Sequence, residues 1–318
     1  MSVTNVSYLR GLSLPTAGFL SQITDLTAAN NHALLMGMSA GYPEPLFASV
    51  RGAKPDIQFS TSQLATLLAA LGTDGLDTSD GNTDLLYCAA KNLGSRQADD
   101  ATVHFRIRAT SGLLYWTSIK GNYLADATAS VRYKPVMDDD GNAPFVPTGS
   151  IALTELPKAI EYFKFGGFYA GASLDDAVQI EGVEGFSLDQ NLQMEEIGAD
   201  DDLYDTFCGI RERAPTLTLD GLDLATWLDY GLDGDQIAYW GLYLRKKSAD
   251  TDDVDVGTAE HIYISGDDAL ILTPDTKGGG LNRTSTSIKL ALTGGTGEDA
   301  MTAAFEINTA SPIPYVSS

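Results

Sequence analysis

Histidine and cysteine are nearly missing from this chain: three and two among 318 residues. So few groups that ionise near neutral pH leave little from which to build acid–base, thiol or zinc chemistry. His32 stands alone near the start, while Cys88 and Cys208 sit in unlike contexts and allow at most one disulfide. Two free thiols are expected. Cations are also scarce, since 20 Lys and Arg face 43 Asp and Glu for a formal charge of −23, and this disfavours a grip on phosphate backbones. No apolar run approaches the length that spans a bilayer. The opening MSVTNVSYLRGLSLPTAGFLSQ lacks the continuous apolar core of a secretory signal, so the expectation is a soluble protein of a cytoplasm.

Motifs for cofactors are equally thin. "MDDDGNAPF" places Asp138, Asp140 and Asn142 at alternating positions, but its glycine comes too early for a calcium loop and Gly149 stands where a bidentate Glu would close it. A hairpin turn is the simpler reading, and "GADDDLYD" and "ADTDDVDVG" read as solvated loops. Gly278-Gly279-Gly280 follows Lys277 but precedes a strand, unlike the phosphate loop that opens a helix. Tyr115-Trp116 and Tyr239-Trp240 are the aromatic pairs that would tempt a sugar-binding reading. No cofactor, metal or catalytic residue is expected, and an enzyme is the least favoured class.

What the chain does have is a repeated phrase. "QFSTSQLATLLAALG" (58–72) is echoed by "LTLDGLDLATWLDYG" (217–231). Shifted by 160 positions, Phe47 falls on Phe207, Arg51 on Arg211, Pro55 on Pro215 and Leu64 on Leu224. Beyond the phrase the shift settles at 157, with His104 on His261, Leu113 on Leu270 and Ser130 on Ser287; "TGSIALT" (148–154) resembles "AAFEINT" (303–309). The second half therefore reads as a diverged copy of the first. The paired histidines each open a strand and read as inherited structural positions at a sheet edge.

One copy reads as an initial strand, 47–59 or 203–219, then a helix whose Leu64, Leu67, Leu68 and Leu71 form an i, i+3, i+4, i+7 stripe. Ser60 or Thr61 is expected to cap its start, with Asp220 in the other copy, and Gly72 or Gly231 to end it. Alternating segments follow at 85–92, 102–109, 112–119, 128–136 and 148–154, echoed at 236–245, 260–265, 269–273, 284–292 and 302–309. The fold expected is mainly β, with two tandem barrel or sandwich domains, one helix flanking each, related by internal duplication. Its parts are an N-terminal arm with first strands (1–46), a first domain (47–154), an aromatic-rich linker (155–185), a second domain (186–310) and a tail (311–318).

A β unit with one flanking helix, doubled in tandem, with acidic hairpin loops and extended termini, resembles the duplicated tail tube proteins of long-tailed bacteriophages. The resemblance spans 47–309 and rests on architecture and duplication, not on a short motif. It implies trimeric rings of six similar domains, stacked into a hollow conduit through which double-stranded DNA passes without specific binding. The partners implied are other copies of the chain and further tail proteins at the tube ends, without a membrane, in a virion assembled in the host cytoplasm. Excess acid is then expected to face the lumen, and the loops carrying Asp138, Asp139 and Asp140, or Asp250, Asp252 and Asp253, are expected at ring-to-ring contacts. Two other readings remain: a phage distal-tail, baseplate-hub or head-decoration ring, and a tandem carbohydrate- or calcium-binding β module.

Overall fold

Ala129, Val131 and Tyr133 are buried while Thr128 is exposed and Ser130 and Arg132 are half-covered. That period-two alternation is what a strand needs to put one face on a core and the other in water, and it recurs along most of the chain. The computed structural model describes residues 7–14, 18–37, 40, 44–45, 47–78, 83–89, 104–109, 111–152, 162–198, 202–221, 234–246, 261–272, 275–279, 282–293 and 306–308.

The first half contains β1 (Ser7–Leu14), β2 (Gly18–Leu20), β3 (Ile23–Ala29), β4 (His32–Gly37), β5 (Phe47–Ala53) and β6 (Asp56–Thr61). After α1 (Leu64–Leu71) come β7 (Leu76–Asp77), β8 (Thr83–Ala89), β9 (His104–Ala109), β10 (Gly112–Asn122), β11 (Thr128–Pro135) and β12 (Val146–Ile151). The second half contains β13 (Phe163–Gly171), β14 (Val178–Gln179), β15 (Val183–Asp189), β16 (Leu192–Ile197), β17 (Phe207–Arg213) and β18 (Thr216–Gly221). It continues with β19 (Gln236–Lys246), β20 (His261–Ile271), β21 (Asp275–Gly279), β22 (Asn282–Leu292) and β23 (Glu306–Asn308).

The fold is mainly β, built on large antiparallel sheets. One sheet runs β12-β9-β8-β1-β2; a second, of 14 strands, runs β14-β13-β19-β20-β22-β18-β15-β10-β11-β6-β3, with β21, β23 and β7 pairing at its sides. Two hairpins, β4-β5 and β16-β17, stand apart from both. A continuous apolar core joins Leu12 and Leu85 of one sheet, Ile57, Phe59 and Val131 of the other, and the leucines of α1.

Strand pairing recurs between the halves residue by residue. Leu85 opposite Ile107 returns as Leu242 opposite Ile264, and Leu114 opposite Tyr133 as Ile271 opposite Leu290. Phe59 opposite Val131 returns as Leu219 opposite Ile288, with one strand shifted by 160 and its partner by 157. Even the irregularities repeat: the register slips between Leu9 and Gly11 and again between Phe165 and Gly167, and the hairpins slip between Ala33 and Leu34 and between Gln193 and Met194.

Several sequence expectations are revised. The long initial strand is two strands in each half, because Pro55 and Pro215 lack the N–H that would continue a ladder and the chain changes sheets there. The stripe of α1 is buried as expected, but its N-cap is Gln63; Ser60 and Thr61 belong to β6, and Thr61 Oγ1 accepts from the Gln63 N–H at 3.1 Å. Gly72 ends the helix with φ 54°, its N–H donating to the Leu68 carbonyl at 2.8 Å. The segment expected to form a second helix, with Leu224 and Gly231, lies outside the described residues, although Asp220, its expected cap, is a residue of β18.

Segments 260–265 and 269–273 fuse into the single strand β20, which carries Asp268 in the left-handed region at φ 55°. Phe163–Gly171, placed in a linker by sequence, is the strand β13 between β14 and β19 and holds the buried Phe163, Phe165 and Phe168. Thr148 lies opposite Arg106 and Asn308 opposite Tyr263, so the last strands match at a shift of 160 and not through Ala303.

Gly11 sits at the β1 irregularity, where an added Cβ would overlap the Leu20 carbonyl and the Phe19 ring. Backbone cannot yield there as a side-chain tip can, so Gly11→Ala is expected to destabilise by about 1–3 kcal/mol. Urea unfolding of the two proteins checks this, and an unchanged midpoint would contradict the tight β1-β2 corner.

Candidate assembly interfaces

The halves meet strand to strand. β10 pairs with β11 on one side, and over Ser118–Asn122 it pairs on the other with β15, setting Ile119 opposite Leu188 and Lys120 opposite Ser187. Cross-strand ladders then run through both halves. Ile23, Thr61, Ala129, Ile119, Leu188, Leu217 and Leu290 succeed one another on the core face, and Thr24, Ser60, Ser130, Ser118, Asp189 and Thr216 on the other. Of the charged residues on that polar face, Asp189 and Asp220 stand against Lys120 and Lys289, while Asp56, Arg132 and Lys134 are taken up in an ion-pair cluster at the β16-β17 hairpin. The rest is largely hydroxyl.

This junction leaves two matching strands open. β3 is the counterpart of β15 and, among the described residues, pairs only with β6; β21 is the counterpart of outer β10 and pairs only with β22. An open edge presents unpaired N–H and C=O groups to any strand that fits. The chain thus has a β15-like edge at one end and a β10-like edge at the other.

The second hairpin crosses onto the first half. The Ala53 N–H donates to the Leu203 carbonyl at 2.7 Å and the Met137 N–H to that of Asp205 at 2.9 Å. Lys134 Nζ lies 2.9 Å from Glu196, and Lys54 Nζ lies 3.2 Å from Glu196 and 3.1 Å from Asp205. Behind them Arg132 grips Asp56 with two hydrogen bonds of 2.8 Å. At the hairpin's base Arg213 donates to the Thr73 carbonyl at 2.7 Å and to Asp74 at 2.9 Å.

These pairings set the protonation states. Burial raises the Asp56 and Glu196 pKa values, but hydrogen bonds from Arg132 to the first and from Lys134 and Lys54 to the second outweigh it, leaving both below the ordinary carboxylate range. Lys54 is held above its usual value by its hydrogen bond to Asp205, against the opposing cost of burial. Burial and then Glu196 push the Cys208 thiol up to about 11, so it stays protonated and unreactive.

Sequence reasoning matched Phe47 with Phe207 and Arg51 with Arg211 but singled out none of these contact residues, because β4-β5 and β16-β17 share register and little other side-chain identity. Of the residues it did single out, Asp138 folds its own turn, accepting from the Asn142 N–H at 2.7 Å and side chain at 2.9 Å, while Asp139 and Asp140 are exposed beside it. Asp250, Asp252 and Asp253 lie outside the described residues. Pro55, Pro215 and Leu64 are buried. His104 and His261 open β9 and β20 and are buried, and both strands are interior to their sheets, not edges. Tyr115, Trp116, Tyr239 and Trp240 are buried too, which denies a sugar those four rings as a platform. Among the described residues no group of three His, Cys, Asp or Glu is placed to hold a metal ion, and no helix is long and apolar enough to cross a membrane.

A carboxylate whose pKa is depressed by folding adds stability that is full above its unfolded value and is lost as pH falls through the folded one. Hydrogen-exchange protection of residues 192–213 is therefore expected to be complete above about pH 5 and to fall below the ordinary carboxylate range. Glu196→Gln should remove about 1 kcal/mol of that protection at pH 7. Equal protection in both proteins would show that the ion pairs do not hold the hairpin. Compared with known proteins, the chain matches no family model and none of the curated proteins.

Proposed function

We propose that the chain arose by tandem duplication of one β unit and that it is a structural subunit that polymerises through its strand edges into rings, as in the tail tube of a long-tailed bacteriophage. The observation that carries this is the β10-β15 junction, a unit-to-unit seam whose two halves recur, unused, as the β21 and β3 edges. Because those edges differ, the contact between chains is heterologous, and such contacts close into rings when the rotation per subunit permits. Three chains would present six similar units, each meeting the next through one kind of seam.

Stacked rings of this kind would enclose a channel, and the polar ladder face is its candidate lining. Hydroxyls with balanced charge hydrate a passing duplex without gripping phosphate, which needs a surplus of cations. The lining so read shows no excess of acid, so the acidity expected for the lumen falls on other parts of the chain. No reaction is assigned to the protein. A ring that does not stack, such as a distal-tail or baseplate part, would use the same seam.

The seam fixes a register. Transferring Ile119 opposite Leu188 to the open edges sets Thr276 opposite Ala28 of the next chain. Directly opposed antiparallel residues stand about 4.5–5.5 Å apart at Cα, within disulfide reach. Ala28→Cys/Thr276→Cys should therefore give disulfide-linked multiples of the chain on non-reducing gels, with rings or tubes in negative-stain images, while neither single variant does so. Monomers at every concentration and salt would refute the proposal.

A further inference from the structure

The two hairpins match in register but not in surroundings. On β16-β17 the face bearing Met194, Glu196, Cys208 and Ile210 is half-covered where it rests on the first half. The same positions of β4-β5 are Leu34, Met36, Ala48 and Val50, and all are exposed, Leu34 at 60% and Met36 at 54%. A largely apolar face lying open on one arm, while its twin is seated, needs a seat of its own.

We infer that β4-β5 docks on the second half of a neighbouring copy of this chain, as β16-β17 docks on the first half within it. The observation is a coupled exchange of residues on both sides of the contact. Within the chain, Glu196 meets Lys134 and Lys54, with Asp56 behind them. At the matching places Glu196 becomes Met36, Lys134 becomes Ala291, Lys54 becomes Ala214 and Asp56 becomes Thr216. The charged pair has become an apolar pair on two segments that share no strand pairing among the described residues. Ala214 is exposed and Ala291 half-exposed, so the seat is open. Asp205, the second carboxylate on Lys54, falls on Pro45 at the same shift, so both carboxylates of the hairpin are lost together with both cations of its seat.

An unpaired carboxylate buried against an apolar surface costs far more than one that meets an ammonium. This inference rests on the ring reading but adds a second contact to the strand seam, so its test reads the two separately. In full-length protein, Met36→Glu should lower the assembled fraction at fixed concentration by about tenfold, and adding Ala291→Lys should restore most of it by recreating in trans the pair that Glu196 and Lys134 make in cis. In parallel, Met36→Cys/Ala291→Cys chains, half of them ¹⁵N-labelled, are assembled and treated with a short bis-maleimide. Mass spectrometry should find mixed-isotope crosslinks between residues 36 and 291.

Rings joined by the Ala28–Thr276 disulfide but without that crosslink, or with it only within single chains, would overturn the hairpin inference and leave the strand seam standing. Failure of Ala291→Lys to rescue Met36→Glu would also overturn it. Absence of both the disulfide ladder and the crosslink would sink the ring reading together with this one.

Discussion

An unpaired strand edge is the constraint on which the rest of this molecule depends. Backbone N–H and C=O groups seek partners, and a long edge left open is an invitation to any strand that fits. This chain satisfies one such edge internally, by laying β10 of the first half against β15 of the second. That step makes one sheet out of two halves, and among the described residues it leaves the same two kinds of edge free at β3 and β21. A chain whose halves closed on one another would end the series, whereas on the proposed reading a head-to-tail junction would pass the problem to the next chain.

Sheet and hairpin divide the work differently. A strand seam relies on main-chain groups, so it tolerates almost any side chain and can be shared by diverged copies. The hairpin contact adds side chains to its two main-chain hydrogen bonds, and here the halves part company: Lys134, Lys54 and Glu196 on one side, Ala291, Ala214 and Met36 on the other. Buried ion pairs specify a partner more strongly than they stabilise it. An ionic seat within the chain and an apolar one between chains would keep each arm from occupying the other's place.

The sequence made the repeat legible where packing repeats. The leucine stripe of α1 and matches such as Phe59 with Leu219 and Val131 with Ile288 lie on the core, where a change of volume is felt. In the hairpins only Phe47 with Phe207 and Arg51 with Arg211 keep their identity, because the other residues face solvent or a different neighbour in each half while the backbone sets the register. The N-cap was misjudged for a related reason: Ser60 and Thr61 are good caps in isolation, but β6 needed them for its pairing with Ala129 and Ser130, and tertiary pairing outweighed local preference. The prolines at 55 and 215 stood out in the sequence as a matched pair, yet only the sheets could show that each divides one strand into two.

The acidity has to be read against this architecture. A net charge of −23 spread over the chain would put carboxylates on every surface, but the polar ladder face balances Asp189 and Asp220 with Lys120 and Lys289. The surplus therefore lies off that face, with exposed carboxylates such as Asp139 and Asp140 in a turn and Glu195 and Glu212 on the β16-β17 hairpin. Like charges there repel at distances up to the Debye length, roughly 8 Å at physiological salt, whereas strand pairing and apolar docking act only on contact. If chains assemble as proposed, such repulsion would hold free copies apart at long range until a correctly registered seam overcame it at short range. The sign of the charge would then serve the order of assembly, and a neutral wall whatever passed along it.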